Sequence, residues 1–230
     1  MIEVLPDSAA VAAAAAARVV RAAEDAIMAR GRFSIALSGG RTPAELYRTL
    51  AGSAIDWSRT RIYFADERAV PPDDPDSNFR MARETLLDQA RVPPRNVHRM
   101  KGEYPDLAVA VEEYEAHLAA ALDLIVLGIG EDGHVASLFP GSALLTGSTR
   151  RVAAVLDAPK PPPRRLTLTP RALAEARDLL VLATGSEKAV AAARALEGDS
   201  APADPPARLV RDRSWLLDRA AASRLTASSG

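Results

Sequence analysis

The chain has 230 residues, 48% of them hydrophobic, and its 29 Lys and Arg balance 30 Asp and Glu to a formal net charge of -1. That is one large domain or two small ones with ample core, and the balanced charge excludes a polyanion-binding surface as the main business, so no nucleic-acid partner is expected. There is no cysteine, which removes disulfides, thiolate metal sites and a thiol nucleophile.

Asp7 or Ser8 caps a first helix predicted to run to about Arg30, where Gly31 stops it. Residues 32–37 (RFSIAL) read as a short strand that breaks into Ser38-Gly39-Gly40-Arg41. A helix is expected at once, with Thr42 as N-cap, Pro43 in the first helical position and Glu45 closing a capping box. Strand, Gly-Gly loop and helix N-terminus in that order aim backbone N–H groups and the positive helix end at one point, which suits a phosphate. An ordinary tight turn has the same pattern, so this loop alone does not decide.

Residues 60–65 (TRIYFA) form the next predicted strand, ending in Asp66-Glu67-Arg68, three charges where an apolar run stops. The plain reading of Asp66 and Arg68 is a local ion pair. A long polar loop stiffened by Pro71, Pro72 and Pro75 follows, and Asp76 or Ser77 then caps a helix to about Gln89. A loop this long inside a compact domain is more often functional than not. A brief strand is expected over 97–100 and a helix over 106–121, with Leu107, Val111, Tyr114 and Leu118 at three- and four-residue spacing. His117, among acids and alanines in that helix, reads as structural.

Residues 122–127 read as a buried strand opening into GIGEDGHVASLFPGS, residues 128–142. Glycines at 128, 130, 133 and 141 let backbone approach a ligand and take positive φ, and His134 is the one imidazole among them. Further on, 151–156 is strand-like, 160–163 is a proline-stiffened connector and 164–169 (RRLTLT) alternates as a half-buried strand should. Thr169 and Pro170 start another helix. Residues 178–183 (DLLVLA) form a buried strand that breaks at Thr184-Gly185-Ser186-Glu187-Lys188 into a helix to about Leu196. A Gly/Pro/Ala-rich loop over 198–206, a last strand over 215–217 and a helix with a frayed tail complete the chain. No repeat or linker divides it, so a single domain over 1–230 is expected.

Strands alternating with helices of ten or more residues predict an α/β fold with a mostly parallel sheet flanked by helices. In such sheets ligands bind beyond the carboxyl ends of the strands. Four unusual loops, SGGRT, ADER, GIGEDGH and TGSEK, all follow strands and can converge on one rim, which turns His134 from a structural histidine into a functional one. Gly128, Gly130 and Gly133 match the spacing of a dinucleotide fingerprint, but Glu131 and Asp132 in the turn would repel a pyrophosphate. The three histidines at 98, 117 and 134 lie far apart in unlike contexts, so no metal is expected. The start lacks a signal-peptide layout and no apolar run reaches the roughly 18 residues of a membrane span; no membrane partner and a cytoplasmic location are expected.

Four segments in this order and spacing, SGGRTPAELY, FADERAVPPDDPDSNFRMA, DLIVLGIGEDGHVASLFPGS and RLTLTP…TGSEK, resemble the 6-phosphogluconolactonase family over about residues 5 to 225. The resemblance implies a Rossmann-like fold shared with the glucosamine-6-phosphate deaminase group, and hydrolysis of 6-phospho-D-glucono-1,5-lactone without a cofactor. By the same resemblance His134 is the general base that activates water, Asp132 assists the proton movement and Arg68 is a cation facing the substrate. Ser38, Gly39, Gly40, Arg41, Thr42, Asp66, Asn78, Arg165 and Lys188 surround the phosphate or sugar. Family members commonly read SGGST where this chain has SGGRT, so Arg41 replaces a small hydroxyl residue. The chemistry suits the residues: a base near neutral pH fits a histidine, ordinarily at about 6.5, and the phosphate anchors the lactone near it. Ser137 has no nucleophile-elbow context and reads as a cap or hydrogen-bond partner. The deaminase group continues its Gly-x-Asp-Gly-His element with Asn-Glu-Pro, which this chain lacks. A non-catalytic sugar-phosphate sensor would need only the phosphate half of the set. A monomer is favoured.

Overall fold

The computed structural model describes residues 1–198 and 204–226. β1 (Ile2–Leu5) leads into α1 (Ser8–Arg30), capped by the Asp7 carboxylate on the Ala10 N–H and ended by Gly31 at φ 73°, as the sequence predicts. β2 (Phe33–Leu37), α2 (Arg41–Ala51), β3 (Thr60–Phe64), β4 (Asp66–Arg68) and α3 (Asn78–Ala82) follow. Then come α4 (Leu107–His117), β5 (Leu124–Gly128), α5 (Leu144–Gly147), β6 (Val152–Val155), β7 (Arg165–Leu168) and α6 (Pro170–Glu175). β8 (Asp178–Ala183), α7 (Ala189–Glu197) and β9 (Ser214–Asp218) complete the set.

Six strands form one all-parallel sheet in the order β1-β9-β8-β5-β2-β3. β2, β5 and β8 are buried along almost their whole length, which is why they read as unbroken apolar runs. α1 buries a stripe, Val11, Ala15, Val19, Ala23 and Ala26, at the three- and four-residue spacing of one helix face. The strand order reverses between β5 and β2: β3 lies on one side of β2, and β5 on the other. That border is a topological switch point, where loops from adjacent strands part and leave a crevice.

A second sheet, antiparallel and three-stranded, has the order β4-β7-β6. Ala65 joins the two sheets: its N–H donates to the Leu37 carbonyl (2.7 Å) and its carbonyl accepts from the Leu168 N–H (2.7 Å). The charged triplet after β3 is therefore strand, not loop, and β7 is buried throughout rather than half-buried.

Other expectations are corrected in the same way. α2 begins at Arg41 after Gly40 and has no side-chain cap, because the Thr42 hydroxyl bonds to Thr184 Oγ1 (2.6 Å). The strand expected over 97–100 shrinks to a single bridge between Ile62 and Val97. α4 ends at His117, short of 121, and the helix predicted to Gln89 becomes α3 plus a π-helical turn, Arg83–Leu87. After β9 the chain makes turns over 219–224 instead of a helix, and the tail from 227 on, like 199–203 of the predicted loop, lies outside the described residues.

Candidate active site

The loops after β2, β5 and β8 border a cleft of about 210 Å³ at the switch point. Ser38, Gly39, Gly40, Arg41, Thr42, Asp66, Arg68, Asn78, His134, Arg165 and Lys188 all line it, so the sequence-predicted set comes together. Asp132 does not line the cleft; it stands behind His134 and accepts from the ring at Nδ1, 2.6 Å from Oδ1. Lys160 and Thr184 line the cleft as well and were not singled out from the sequence. Thr184 sits inside the TGSEK motif, whereas the only signal for Lys160 was its place in a proline-stiffened connector.

The β5 loop is shaped to present the imidazole. Gly130 donates its N–H to the His134 carbonyl (2.8 Å), and a Cβ on Gly130 would stand 2.1 Å from His134 Nδ1 and 2.5 Å from Asp132 Oδ1. Only glycine leaves room for the pair. Gly133, at φ 82°, packs so closely on Pro205 that a Cβ would meet it at 2.3 Å. The ring of Phe139 lies against the imidazole, 4.5 Å between centroids. Burial alone would raise the Asp132 carboxyl. The hydrogen bond and charge of His134, with the Lys160 ammonium 3.4 Å away, outweigh it and hold Asp132 well below the usual carboxylate range.

The β2 loop forms the other end of the cleft. Gly40, at φ 110°, lets the chain turn straight into α2 with its first N–H groups uncapped by any side chain. Gly39 faces Asn78 so closely that a Cβ would lie 1.9 Å from Asn78 Oδ1. The Ser38 hydroxyl donates to the Val126 carbonyl (2.8 Å), so this residue ties the β2 and β5 ends together. Arg41 pairs with Glu187 (2.6 Å) and, 88% exposed, lines the cleft at its mouth.

The second sheet brings the remaining groups. The Asp66 carboxylate accepts from Asn78 Nδ2 (3.0 Å) and Ser137 Oγ (2.7 Å), and Arg68 donates to the Asp76 carbonyl. There is no Asp66–Arg68 ion pair among the described residues, and Ser137 is the hydrogen-bond partner its context suggests. Arg68 and Arg165 are register partners on β4 and β7, which sets two guanidiniums side by side at the cleft. Arg165 is buried and braced by the carbonyls of Lys160, Pro161 and Pro162, with its guanidinium over Phe139 at 5.4 Å. Burial moves that guanidinium below its ordinary value, and Asp66 opposes the shift. Beneath them Glu67 accepts from the N–H groups of Arg68, Asn78 and Phe79 and from Ser77 Oγ. Five cationic side chains, Arg41, Arg68, Lys160, Arg165 and Lys188, thus face one small cavity whose lining holds a single carboxylate. Such a cavity concentrates a small dianion.

A model of glucosamine-6-phosphate isomerases/6-phosphogluconolactonase matches residues 6–217. A 6-phosphogluconolactonase of Mycobacterium tuberculosis is 42% identical, with 97% of this chain and 98% of the relative covered. The solved 6-phosphogluconolactonase from Trypanosoma cruzi superposes with a TM-score of 0.85 at 29% identity, covering 98% of this chain and 97% of the other. A monomeric glucosamine-6-phosphate deaminase superposes with a TM-score of 0.83 over 97% of this chain and 99% of the other. At 23% identity that last likeness speaks for the fold alone.

Proposed function

The chain belongs to the glucosamine-6-phosphate isomerase/6-phosphogluconolactonase family, and from that premise we propose that it hydrolyses 6-phospho-D-glucono-1,5-lactone to 6-phospho-D-gluconate, the second step of the oxidative pentose phosphate pathway. It acts as one lactonase domain, monomeric and cytoplasmic. The observation that carries the chemistry is the His134–Asp132 pair set at the edge of a cleft lined by five cations.

Asp132, held ionised, only accepts hydrogen bonds, so His134 Nδ1 carries the proton it donates and Nε2 is left as the base. Nε2 takes a proton from water as its oxygen bonds to lactone C1. The C1 carbonyl oxygen gains charge and is met by the positive field of the cleft. As the bond from C1 to the ring oxygen breaks, the imidazolium returns its proton to that oxygen, and the acid product ionises in solution. The phosphate rests on the uncapped N–H groups at the start of α2 and on Arg165 and Lys188. Lys160 keeps the Asp132 charge in place and adds positive potential beside the reacting carbon.

The test supplies purified protein with freshly generated 6-phosphoglucono lactone and follows 6-phosphogluconate through its dehydrogenase, with glucosamine 6-phosphate as control. Lactone loss above spontaneous opening, with no ammonia from the control, is expected. No acceleration, or ammonia release, would sink the reading.

A further inference from the structure

A second cavity, about 490 Å³, shares none of its lining residues with the catalytic cleft. Its size falls in the usual range of small-molecule sites. Leu87, Val92, Val97 and Ala110 give it an apolar floor. Two imidazoles line it: His98, whose other face is backed by the buried Tyr63 ring (4.7 Å, 14° between planes), and His117, 6.4 Å from His98 at 26°. Burial first, then Arg61 and His117, push the His98 imidazole below its ordinary value, which favours the uncharged ring.

Charge enters from the rim, where Arg83, Arg99 and Lys101 stand with the carboxylates of Asp88 and Glu113. Arg99 is held bidentately by Glu103, and Lys101 is paired with Glu113. Arg83 has no carboxylate partner among the described residues; its guanidinium lies 6.0 Å from the centre of the Phe79 ring. A guanidinium lodged on an aromatic face beside an apolar cavity is a ready partner for an acidic group on a ring.

We propose that this cavity binds a planar organic anion, its ring system against the His98 and His117 imidazoles and its acidic group on Arg83, and that occupancy is felt in the catalytic cleft. One segment carries both ends of the coupling. Asn78 lines the cleft and holds Asp66, while the next residue, Phe79, lines the cavity with Arg83 and Leu87. Glu67 accepts from the N–H groups of Asn78, Phe79 and Arg68 together, so a displaced Phe79 pulls on the backbone that aims Arg68. The π-helical turn Arg83–Leu87 continues this segment along the cavity, a geometry frequent at functional sites.

The probe is 1-anilinonaphthalene-8-sulfonate, followed by its fluorescence on the full chain. One saturable site is expected, undisturbed by saturating 6-phosphogluconate, and the bound probe should change lactonase kcat/KM by roughly fivefold or more. Arg83→Gln should raise the probe's dissociation constant about tenfold, the loss of one charge-assisted hydrogen bond, and abolish the kinetic effect. Arg99→Gln should matter less, since Glu103 already engages that guanidinium. His117→Glu, at an exposed position, tests the same point without touching Arg83 and should also weaken binding. Absent binding, competition by 6-phosphogluconate, equal affinity in Arg83→Gln with an unchanged melting point, or binding without a kinetic effect would each overturn the proposal.

Discussion

On the proposed mechanism the hydrogen bond between His134 Nδ1 and Asp132 Oδ1 decides which ring nitrogen is the base, and the ammonium of Lys160 stands 3.4 Å from the same carboxylate oxygen. Removing the proposed base is the first consequence to measure: His134→Ala should lower kcat by about a hundredfold or more, the usual contribution of a general base, with KM largely kept because the proposed phosphate contacts lie elsewhere. Retention of parental kcat after subtraction of spontaneous opening would remove His134 from the mechanism. Lys160 makes a subtler claim. On the proposed mechanism its ammonium adds positive potential where the carbonyl oxygen gains charge in the transition state. Lys160→Met should therefore lower kcat by about tenfold with KM nearly unchanged, and Lys160→Arg should restore most of it. A raised KM with kcat kept would make Lys160 a ground-state contact of the substrate instead. Lys160 could not be picked out from sequence because its importance comes from a 28-residue separation in chain that the fold closes to 3.4 Å. His134 and Asp132, two residues apart in one glycine-punctuated loop, were visible together.

At the scale of elements, the junction between β4 and α3 governs how Asp66, Arg68 and Asn78 meet. Glu67 organises it, with three backbone N–H groups and the Ser77 hydroxyl gathered on its carboxylate. Burial is the largest influence on that carboxyl and raises it despite these donors, so the folded state holds the proton more tightly than the unfolded chain. The sign follows from linkage: Glu67's contribution is complete below its unfolded value and declines as pH rises through the folded one. Glu67→Gln cannot ionise but sets an amide NH2 against two of these four donors, so it starts less stable than the parent and should recover ground on it as pH rises between about 4 and 7. Urea denaturation across that interval reads the difference, and a parent that gains on the variant with rising pH would refute the account. This element was only half legible. The acids and the proline-rich loop marked a functional stretch. But a three-residue strand becomes a strand through its partner, and β7 lies about a hundred residues downstream. The missing cap on α2 has the same origin, because Thr42 meets Thr184 only after β2 and β8 are brought into one sheet.

Across the whole molecule, alternating strands and helices were enough to predict the parallel sheet, because strands buried on both faces must be apolar throughout. The exception is β1, whose alternating exposure and four-residue length gave no such signal. It lies at one edge of the order β1-β9-β8-β5-β2-β3, with β9 between it and β8, the nearest strand that opens on the cleft. Its ties are the ladder to β9, the bond from the Trp215 N–H to the Met1 carbonyl (2.8 Å) and the Glu3–Arg18 pair (2.7 Å). Removing residues 1–5 deletes these ties and bares the β9 edge, while Asp7 still caps α1. Each half-exposed contact is weak, so the melting temperature should fall by roughly 5 °C, with kcat/KM at 20 °C within about twofold of the parent. The division of labour behind this is geometric: chemistry depends on the strand ends around the switch point, and the β1 edge only lengthens the platform. A truncated chain that melts as the parent does would deny β1 its share in stability, and one that folds yet loses lactonase activity would show the platform reaching the cleft after all.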